Sequence, residues 1–291
     1  MGEKDLTEKI LEDYNEVFAD IVNVLLFNGE QRVNPNSLKN SSVHSQYKAD
    51  DNKIHEQERD VAKTWTEYDV ELALYGLENQ TKIEKLMPLR IAGYEGASYR
   101  SQFQRKLAKP VPVITMVLYF GEDHWNAKTS LKEMMDIPEG LDDFVNDCKI
   151  NVFEISWLTD EQIQMFKSDF KVVANFFVNK RKNRNYIPDD KTSITHIDEV
   201  LKLLKVMTGD YRYERLLANS EWRASNMCEV AERLEKIGIE KGRVEGVVEG
   251  ETKLGLLIAK LLSDGRTSDI ELAATNKTIR EQLYKEYDIT D

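Results

Sequence analysis

The spacing of apolar residues divides the chain into an amino-terminal α/β part and a carboxyl-terminal helical part. In residues 3–27, apolar side chains recur every three or four positions, which predicts an amphipathic helix that is closed by Gly29. Residues 34–57 are polar and rich in Asn and Ser, which is typical of a surface loop or a partly ordered segment. Two short strands are predicted next, near residues 58–65 and 69–80.

The second of these strands places two polar side chains beside each other. One of its faces is apolar or small at every second residue until it ends in Glu78 and Gln80. Residues 83–107 then form a predicted helix, and the apolar, β-branched residues 111–120 predict a strand that is covered on both faces. A strand, a helix and a strand with this connection length predict a right-handed parallel crossover.

Together these segments predict an α/β core followed by helices. If a weak strand near 31–35 is counted, the core has the order α-β-β-β-α-β, a mixed central sheet flanked by helices, and a further strand candidate lies at 150–157. We expect three parts: an α/β core at 1–158, helices packing on that core at 159–218, and a helical carboxyl-terminal tail at 219–291.

The predicted tail contains a small internal repeat of glycine. The glycines recur strictly every fourth residue, at Gly238, Gly242, Gly246 and Gly250. Each one weakens an isolated helix by about 1 kcal/mol relative to alanine. Two interpretations stay open, namely a helix that packs closely against a partner helix and a flexible, solvated linker helix.

Composition excludes several classes of protein. Hydrophobic residues make up 41% of the 291 residues, which excludes a wholly disordered chain. No stretch is apolar for long enough to form a membrane helix, and the charged amino terminus is not a secretory signal. Two cysteines and four scattered histidines make neither a disulfide framework nor a zinc site. We therefore expect a cytoplasmic protein with no membrane partner.

Charge adds a local feature to this picture. The net charge of −12 disfavours a protein that coats nucleic acid without specificity. Residues 80–113, however, contain seven basic residues against two acidic ones. Such a basic face is compatible with a phosphate-bearing ligand, although charge alone favours an ordinary polar helix surface.

The strongest chemical prediction comes from two carboxylates. Asp60 and Glu78 are eighteen positions apart, which is enough for one strand to end, turn and pair with the next. Carboxylate oxygens on adjacent strands suit Mg²⁺, which polarises a phosphodiester and lowers the pKa of a bound water. Gln80 could orient that water or a ligand. The polar end of an ordinary hairpin gives the same spacing, so the two interpretations remain open.

These residues resemble a known superfamily. Asp60, Glu78-x-Gln80 and the order of elements look like the PD-(D/E)xK, or restriction-endonuclease-like, superfamily. More closely, the chain resembles the bacterial recombination-promoting nucleases, also called putative transposases. The matching segments include FADIVNVLLF at 18–27, HEQERDVAK at 55–63, LALYGLENQT at 72–81 and MPLRIAGYEGASYRSQ at 87–102.

The resemblance implies a Mg²⁺-dependent DNA endonuclease that is linked to recombination or mobile DNA, with Mn²⁺ as a substitute ion. By position, Asp60 and Glu78 are the implied metal ligands, and Gln80 takes the place of the usual lysine. A lysine carries positive charge, whereas the neutral amide of Gln80 only hydrogen-bonds. Reduced activity, or none, therefore stays open.

The resemblance also suggests supporting residues. The superfamily often adds an acid from the first helix, and here Glu16 and Asp20 lie one turn apart, with Asp20 inside the matched block. Arg90, Arg100 and Gln102 in the helix after the catalytic strand are candidates for contact with DNA. A solvated acidic stripe and structural ion pairs explain the same residues equally well.

Two alternatives to a DNA endonuclease stay open. The first is a catalytically inactive interaction or DNA-binding protein on the same fold, with the helical tail mediating oligomerisation, and Gln80 and the net charge favour it. The second is an RNase or a nuclease toxin that a partner holds inactive. A homodimer is expected if the chain cuts both strands of DNA, because that reaction needs two sites.

Overall fold

The computed structural model describes residues 10–42, 44–48, 54–67, 70–218 and 224–289. By its internal contacts the chain forms two compact units, and the boundary falls between Ala231 and Glu232. The boundaries predicted after residues 158 and 218 stay predictions. None of the described helices combines the length and the apolar character needed to cross a membrane.

Seven strands are described, all of them in the first unit. They are β1 (Leu38–Asn40), β2 (His44–Lys48), β3 (Ile54–Glu58), β4 (Val61–Glu67), β5 (Val70–Gln80), β6 (Val113–Tyr119) and β7 (Asn151–Glu154). Five of them form a mixed sheet in the order β1-β4-β5-β6-β7, and β2 and β3 form a separate antiparallel pair. The β1/β4 and β4/β5 pairs are antiparallel, whereas β5/β6 and β6/β7 are parallel.

Helices accompany the sheet and continue beyond it. The described α-helices are α1 (Asn15–Phe27), α2 (Met87–Gln104), α3 (Asp160–Met165), α4 (Phe170–Lys182), α5 (Ile197–Thr208), α6 (Arg212–Leu217), α7 (Met227–Ser263), α8 (Thr267–Thr275) and α9 (Lys277–Glu286). Helix α2 packs on β6, and α4 contacts both α1 and α5. This is the predicted α/β class: a mixed central sheet flanked by helices, with a helical carboxyl-terminal region.

The predicted core order is observed as α1, β1, β4, β5, α2 and β6. Its first strand was predicted at 31–35, but it lies at Leu38–Asn40. Residues 34–57, predicted to be a surface loop or a partly ordered segment, contain β1, β2 and most of β3, so the loop prediction is wrong where these strands lie. Main-chain pairing between HSQYK and IHEQE forms the β2/β3 ladder without the apolar alternation that identifies a strand in a sequence.

The predicted crossover between β5 and β6 is confirmed as parallel, with paired residues from Leu74 and Val113 to Gln80 and Tyr119. Parallel pairing brings the carboxyl ends of both strands to the same edge of the sheet. Along β5, Tyr75 and Leu77 are buried in the apolar core, and the next residue, Glu78, is also completely buried. The sheet thus holds a charged side chain within its interior near that edge.

The amino-terminal helical segment is not one continuous helix as predicted. A short 3-10 turn at Leu11–Asp13 precedes α1, and the two are separated by Tyr14, whose backbone is extended at φ −73° and ψ 126°. The beginning of the predicted helix, residues 3–9, lies outside the described residues. This interruption rotates Glu12 relative to the acidic residues of α1, because the helical phase does not continue through an extended residue.

The second unit begins within α7, which continues unbroken through the glycine repeat to Ser263. A Cβ atom added at any of the four repeat glycines would meet no other atom within 4 Å. Further along, Leu257, Leu261, Ala273 and Leu283 form a small apolar core that joins α7 to α8 and α9. Within this unit, packing therefore involves the end of α7, and the glycine repeat faces open space.

Candidate active site

The two predicted carboxylates lie at one end of the β4/β5 hairpin. Val61 pairs with Leu77 in antiparallel register, so Asp60 stands opposite Glu78. Asp60 is half-buried, and its Oδ2 atom accepts a hydrogen bond of 2.7 Å from the main-chain N–H of Asn79. Because Asn79 directly follows Glu78, this bond holds the loop before β4 against the carboxyl end of β5.

An arginine from α2 pairs with the buried carboxylate. Arg90 Nη2 lies 3.0 Å from Glu78 Oε2, and Arg90 Nε donates a hydrogen bond of 2.7 Å to the hydroxyl of Tyr94. Burial by itself lowers the pKa of the Arg90 guanidinium, but the charges of Glu78 and Asp60 and the bond to Tyr94 raise this pKa overall. The predicted substrate-binding residue Arg90 therefore belongs to the carboxylate site.

A third carboxylate, which the sequence analysis missed, joins this group. Glu12 in the 3-10 turn is completely buried, and its Oε1 atom accepts a hydrogen bond of 3.1 Å from the side-chain amide of Asn79. Its Oε2 atom makes no hydrogen bond with the described residues. Burial raises the pKa of Glu12 to about 7, and the negative charge of Asp60 contributes to this rise. Glu12, Asp60 and Glu78 thus converge around Asn79.

The two acids predicted from α1 lie elsewhere. Asp20 is buried, and its Oδ2 atom accepts hydrogen bonds from the main-chain N–H groups of Lys167, at 2.8 Å, and Ser168, at 2.7 Å. Glu16 Oε1 lies 2.8 Å from Nε2 of His196. These described contacts connect α1 to the segments before α4 and α5. A catalytic role for either acid stays a prediction, and the geometry gives both a bracing role.

The remaining predicted residues occupy different positions on the same α/β framework. Gln80 is the last residue of β5 and is half-buried, with its main chain bonded to Phe120 at 2.8 Å. Both polar atoms of the Gln102 amide bind the main chain of Val111, at 2.8 and 3.1 Å, which ties α2 to the start of β6. Arg100 is exposed on α2. Their roles toward DNA stay predictions.

The donor set determines which metal ion these residues could hold. Across the described parts of the chain, no three His, Cys, Asp or Glu side chains are grouped so that they alone could hold a metal ion. Mg²⁺ is commonly bound by one or two carboxylates, with water and substrate phosphate completing its ligands. Asp60 and Glu78 supply two such carboxylates, and the buried Oε2 atom of nearby Glu12 has no hydrogen-bond partner among the described residues. The residues fit Mg²⁺ on these grounds.

Comparison with known protein families gives a match for the central part of the chain. Residues 71–206 match the family described as "Putative transposase, YhgA-like". This family is part of the PD-(D/E)xK superfamily, and its description relates the matched region to mobile DNA. The match includes Glu78, Gln80 and Arg90, and it begins after Asp60. Comparisons with curated proteins and with solved structures give no significant match.

Proposed function

Since residues 71–206 belong to the YhgA-like putative transposase family of the PD-(D/E)xK superfamily, we propose that the chain is a Mg²⁺-dependent DNA endonuclease acting in recombination or on mobile DNA. The observation that carries this proposal is the convergence of Glu12, Asp60 and Glu78 around Asn79. Carboxylates are expensive to bury unless a counter-charge stabilises them, and metal-dependent phosphodiester hydrolysis would be a reason to retain them.

Each residue then has a distinct task. Asp60 and Glu78 would hold the ion, which when bound polarises the scissile phosphate and makes a bound water more acidic. Mn²⁺, which accepts the same oxygen ligands, is expected to substitute. Glu12, with a pKa of about 7, is suited to accept a proton near neutral pH. The amide of Gln80 would position the water or the phosphate by hydrogen bonding, because it carries no charge of its own.

Nicking of supercoiled plasmid by the purified full-length chain tests the proposal. The assay compares Mg²⁺, Mn²⁺, Ca²⁺ and EDTA for the wild type and for Asp60→Asn and Glu78→Gln, which keep the shape of each side chain. We expect Mg²⁺- or Mn²⁺-dependent nicking that falls at least a hundredfold in both variants, as the loss of a metal ligand should cause. Glu30→Gln, whose exposed carboxylate pairs with Arg32 away from the carboxylate site, is the matched control. Full activity in a folded Asp60→Asn protein would contradict the assignment.

The choice of nucleic acid is tested in the same assay. Parallel digestion of DNA and RNA of the same sequence distinguishes an endodeoxyribonuclease from an RNase. Preferential cleavage of RNA that requires Asp60 would retain the site and contradict the proposed substrate.

A non-catalytic interaction or DNA-binding protein is the second candidate. It is favoured by Gln80, which lacks the charge of the usual lysine, and by Arg90, which already neutralises Glu78. A working metal site should gain stability from Mg²⁺ by RT ln(1 + [Mg²⁺]/Kd), whereas a vestigial site should gain none. Thermal unfolding with and without Mg²⁺ therefore separates the candidates, with Asp60→Asn as the variant that should not respond. Light scattering on the same samples tests the predicted homodimer.

A further inference from the structure

A second polar site lies beside the carboxylates and involves the residue just before Asp60. Arg59 is 97% buried, with only 3% of its surface exposed. Its Nε and Nη2 atoms are buried and make no hydrogen bond with the described residues. The guanidinium lies over the ring of Tyr94, 5.4 Å from its centroid. A ring face satisfies charge but not the directional N–H donors, so these donors still lack acceptor oxygens.

The sheet provides space for this buried guanidinium. A Cβ atom on Gly76, in the middle of β5, would lie 3.0 Å from Arg59 Cδ and 3.2 Å from Arg59 Nε. A glycine inside a strand often marks the place where another group approaches the backbone closely. Glycine at this position therefore permits Arg59 to lie flat against the sheet.

Arg59 is also one of the residues that line a pocket of 480 Å³ between β1, β4, β5 and α2, which we call the Arg59 pocket. Its charged lining residues are three basic and one acidic, namely Lys39, Arg59, Arg105 and Glu71. The hydroxyl group of Ser101 supplies a further donor. A volume of this size accommodates a group as large as a nucleotide.

The carboxylates around the Arg59 pocket leave it receptive to an anion. Glu71 is held by Arg105 through two bonds, of 2.8 and 3.0 Å, so its charge is already compensated. Burial lowers the pKa of the Arg59 guanidinium, and the negative charges of Glu95 and Glu78 offset part of that effect. Neither Glu95 nor Glu78 lines the pocket.

We propose that the Arg59 pocket binds a backbone phosphate of the DNA strand next to the one held at the carboxylate site. Phosphate oxygens supply the acceptors that Nε and Nη2 lack, and they match the geometry of a guanidinium. The two sites are neighbours, because Arg59 directly precedes Asp60 and because Tyr94 contacts both Arg59 and Arg90. The DNA part of this inference rests on the proposed function, whereas the phosphate chemistry rests on the pocket alone.

DNA binding without cleavage tests the inference. Fluorescence anisotropy of a labelled DNA duplex is measured in EDTA, so that no metal-dependent reaction interferes. For Arg59→Gln we expect affinity to fall roughly tenfold or more and the slope of affinity against salt to decrease by about one. Arg32→Gln removes an exposed arginine that pairs with Glu30 and should leave affinity unchanged.

A second pair of variants avoids disturbing a buried residue. Ser101→Glu adds a negative charge to the pocket lining, whereas Gln104→Glu adds the same charge at an exposed position of α2 outside the lining. We expect only Ser101→Glu to weaken DNA binding, by several-fold, because repulsion between like charges falls off with distance. If Arg59→Gln does not fold, this pair still decides the question.

Thermal stability with added inorganic phosphate tests whether the Arg59 pocket binds a DNA strand or a small phosphate compound. If phosphate stabilises the wild type but not Arg59→Gln, while DNA affinity is the same for both, the pocket binds a small phosphate compound and the assignment to a DNA strand is wrong. Unchanged DNA affinity in Arg59→Gln and Ser101→Glu, with no response to phosphate, would overturn the inference entirely, as would a wild type that does not bind DNA in EDTA. DNA binding that depends on Arg59, together with no nicking in the plasmid assay with any metal ion, would contradict the proposed endonuclease and retain the phosphate site.

Discussion

Two buried carboxylates near the amino terminus, Glu12 and Asp20, meet very different surroundings. Each has one oxygen that makes no hydrogen bond with the described residues. Asp20 accepts two short bonds from the main-chain N–H groups of Lys167 and Ser168, whose dipoles stabilise its charge. Glu12 lies near the like charge of Asp60, and its burial raises its pKa to about 7. Burial alone therefore does not identify a functional acid, and the two acids are distinguished by their hydrogen-bond partners and by the charges near them.

The comparison separates a structural role from a chemical one. A carboxylate bonded to the main chain of another segment fixes that segment, and its removal should mainly affect stability. A carboxylate held among other carboxylates has a charge that costs stability, and its neutralisation should mainly affect chemistry. The predictions that follow test this division.

The largest effect on stability is expected at Asp20. Asp20→Ala leaves the N–H groups of Lys167 and Ser168 without their acceptor, which should lower the free energy of unfolding by roughly 3 kcal/mol. Glu12→Gln should change it by less than about 1 kcal/mol at pH 6, where the wild-type side chain is mostly protonated. Urea unfolding followed by tryptophan fluorescence measures both, because all four tryptophans precede Ala231. Equal losses in the two variants would contradict the division.

Glu12 should also make stability depend on pH. Its pKa rises from 4.5 to about 7 on folding, so the folded state holds the proton more tightly than the unfolded state. The free energy of unfolding should consequently fall as pH rises through this window, by roughly 3 kcal/mol in total, and become level above it. The difference between wild type and Glu12→Gln across pH 4 to 8 isolates this contribution. Parallel curves for the two proteins would mean that Glu12 is not desolvated.

Arg90 tests the counter-charge at the same site. Arg90→Gln leaves the charge of completely buried Glu78 less compensated and should cost about 2 kcal/mol, because the arginine is itself 40% exposed. Mg²⁺ should stabilise this variant more than the wild type, since a cation can replace the lost positive charge. Arg100→Gln, at an exposed position of the same helix, is the control and should behave like the wild type. An equal Mg²⁺ effect in all three proteins would place the ion away from Glu78.

Much of the fold follows from local pattern, and the exceptions have physical causes. The alternation in residues 69–80 and the apolar run at 111–120 predicted β5, β6 and their parallel connection. The strands β2 and β3 escaped prediction because main-chain pairing does not require an apolar side of the kind that a sequence displays. Such strands depend on partners that only the folded chain brings together.

The part of the site that the β4/β5 hairpin forms could be predicted from the sequence. The part that depends on the extended residue Tyr14 could not. The spacing between Asp60 and Glu78 was enough to predict that they meet, because antiparallel pairing converts sequence separation into register. Glu12 was missed because a continuous helical phase was assumed through Tyr14, and this favoured Glu16 and Asp20 instead. A single extended residue changes which acid faces the sheet. The spacing of the apolar residues does not reveal that interruption.

The smallest expected effect concerns the space beside Arg59. Gly76→Ala puts a methyl group 3.0 Å from Arg59 Cδ, and the flexible side chain can move away, so the free energy of unfolding should fall by only about 1 kcal/mol. DNA affinity in EDTA should nevertheless decrease several-fold, because the guanidinium that we propose to bind phosphate is displaced from its position beside the Arg59 pocket. Gly96→Ala on α2 meets no atom within 4 Å and should be neutral or stabilising by up to about 1 kcal/mol, with unchanged DNA affinity. A Gly76→Ala protein that loses stability and retains full affinity would mean that Arg59 supports only the fold, as Asp20 does.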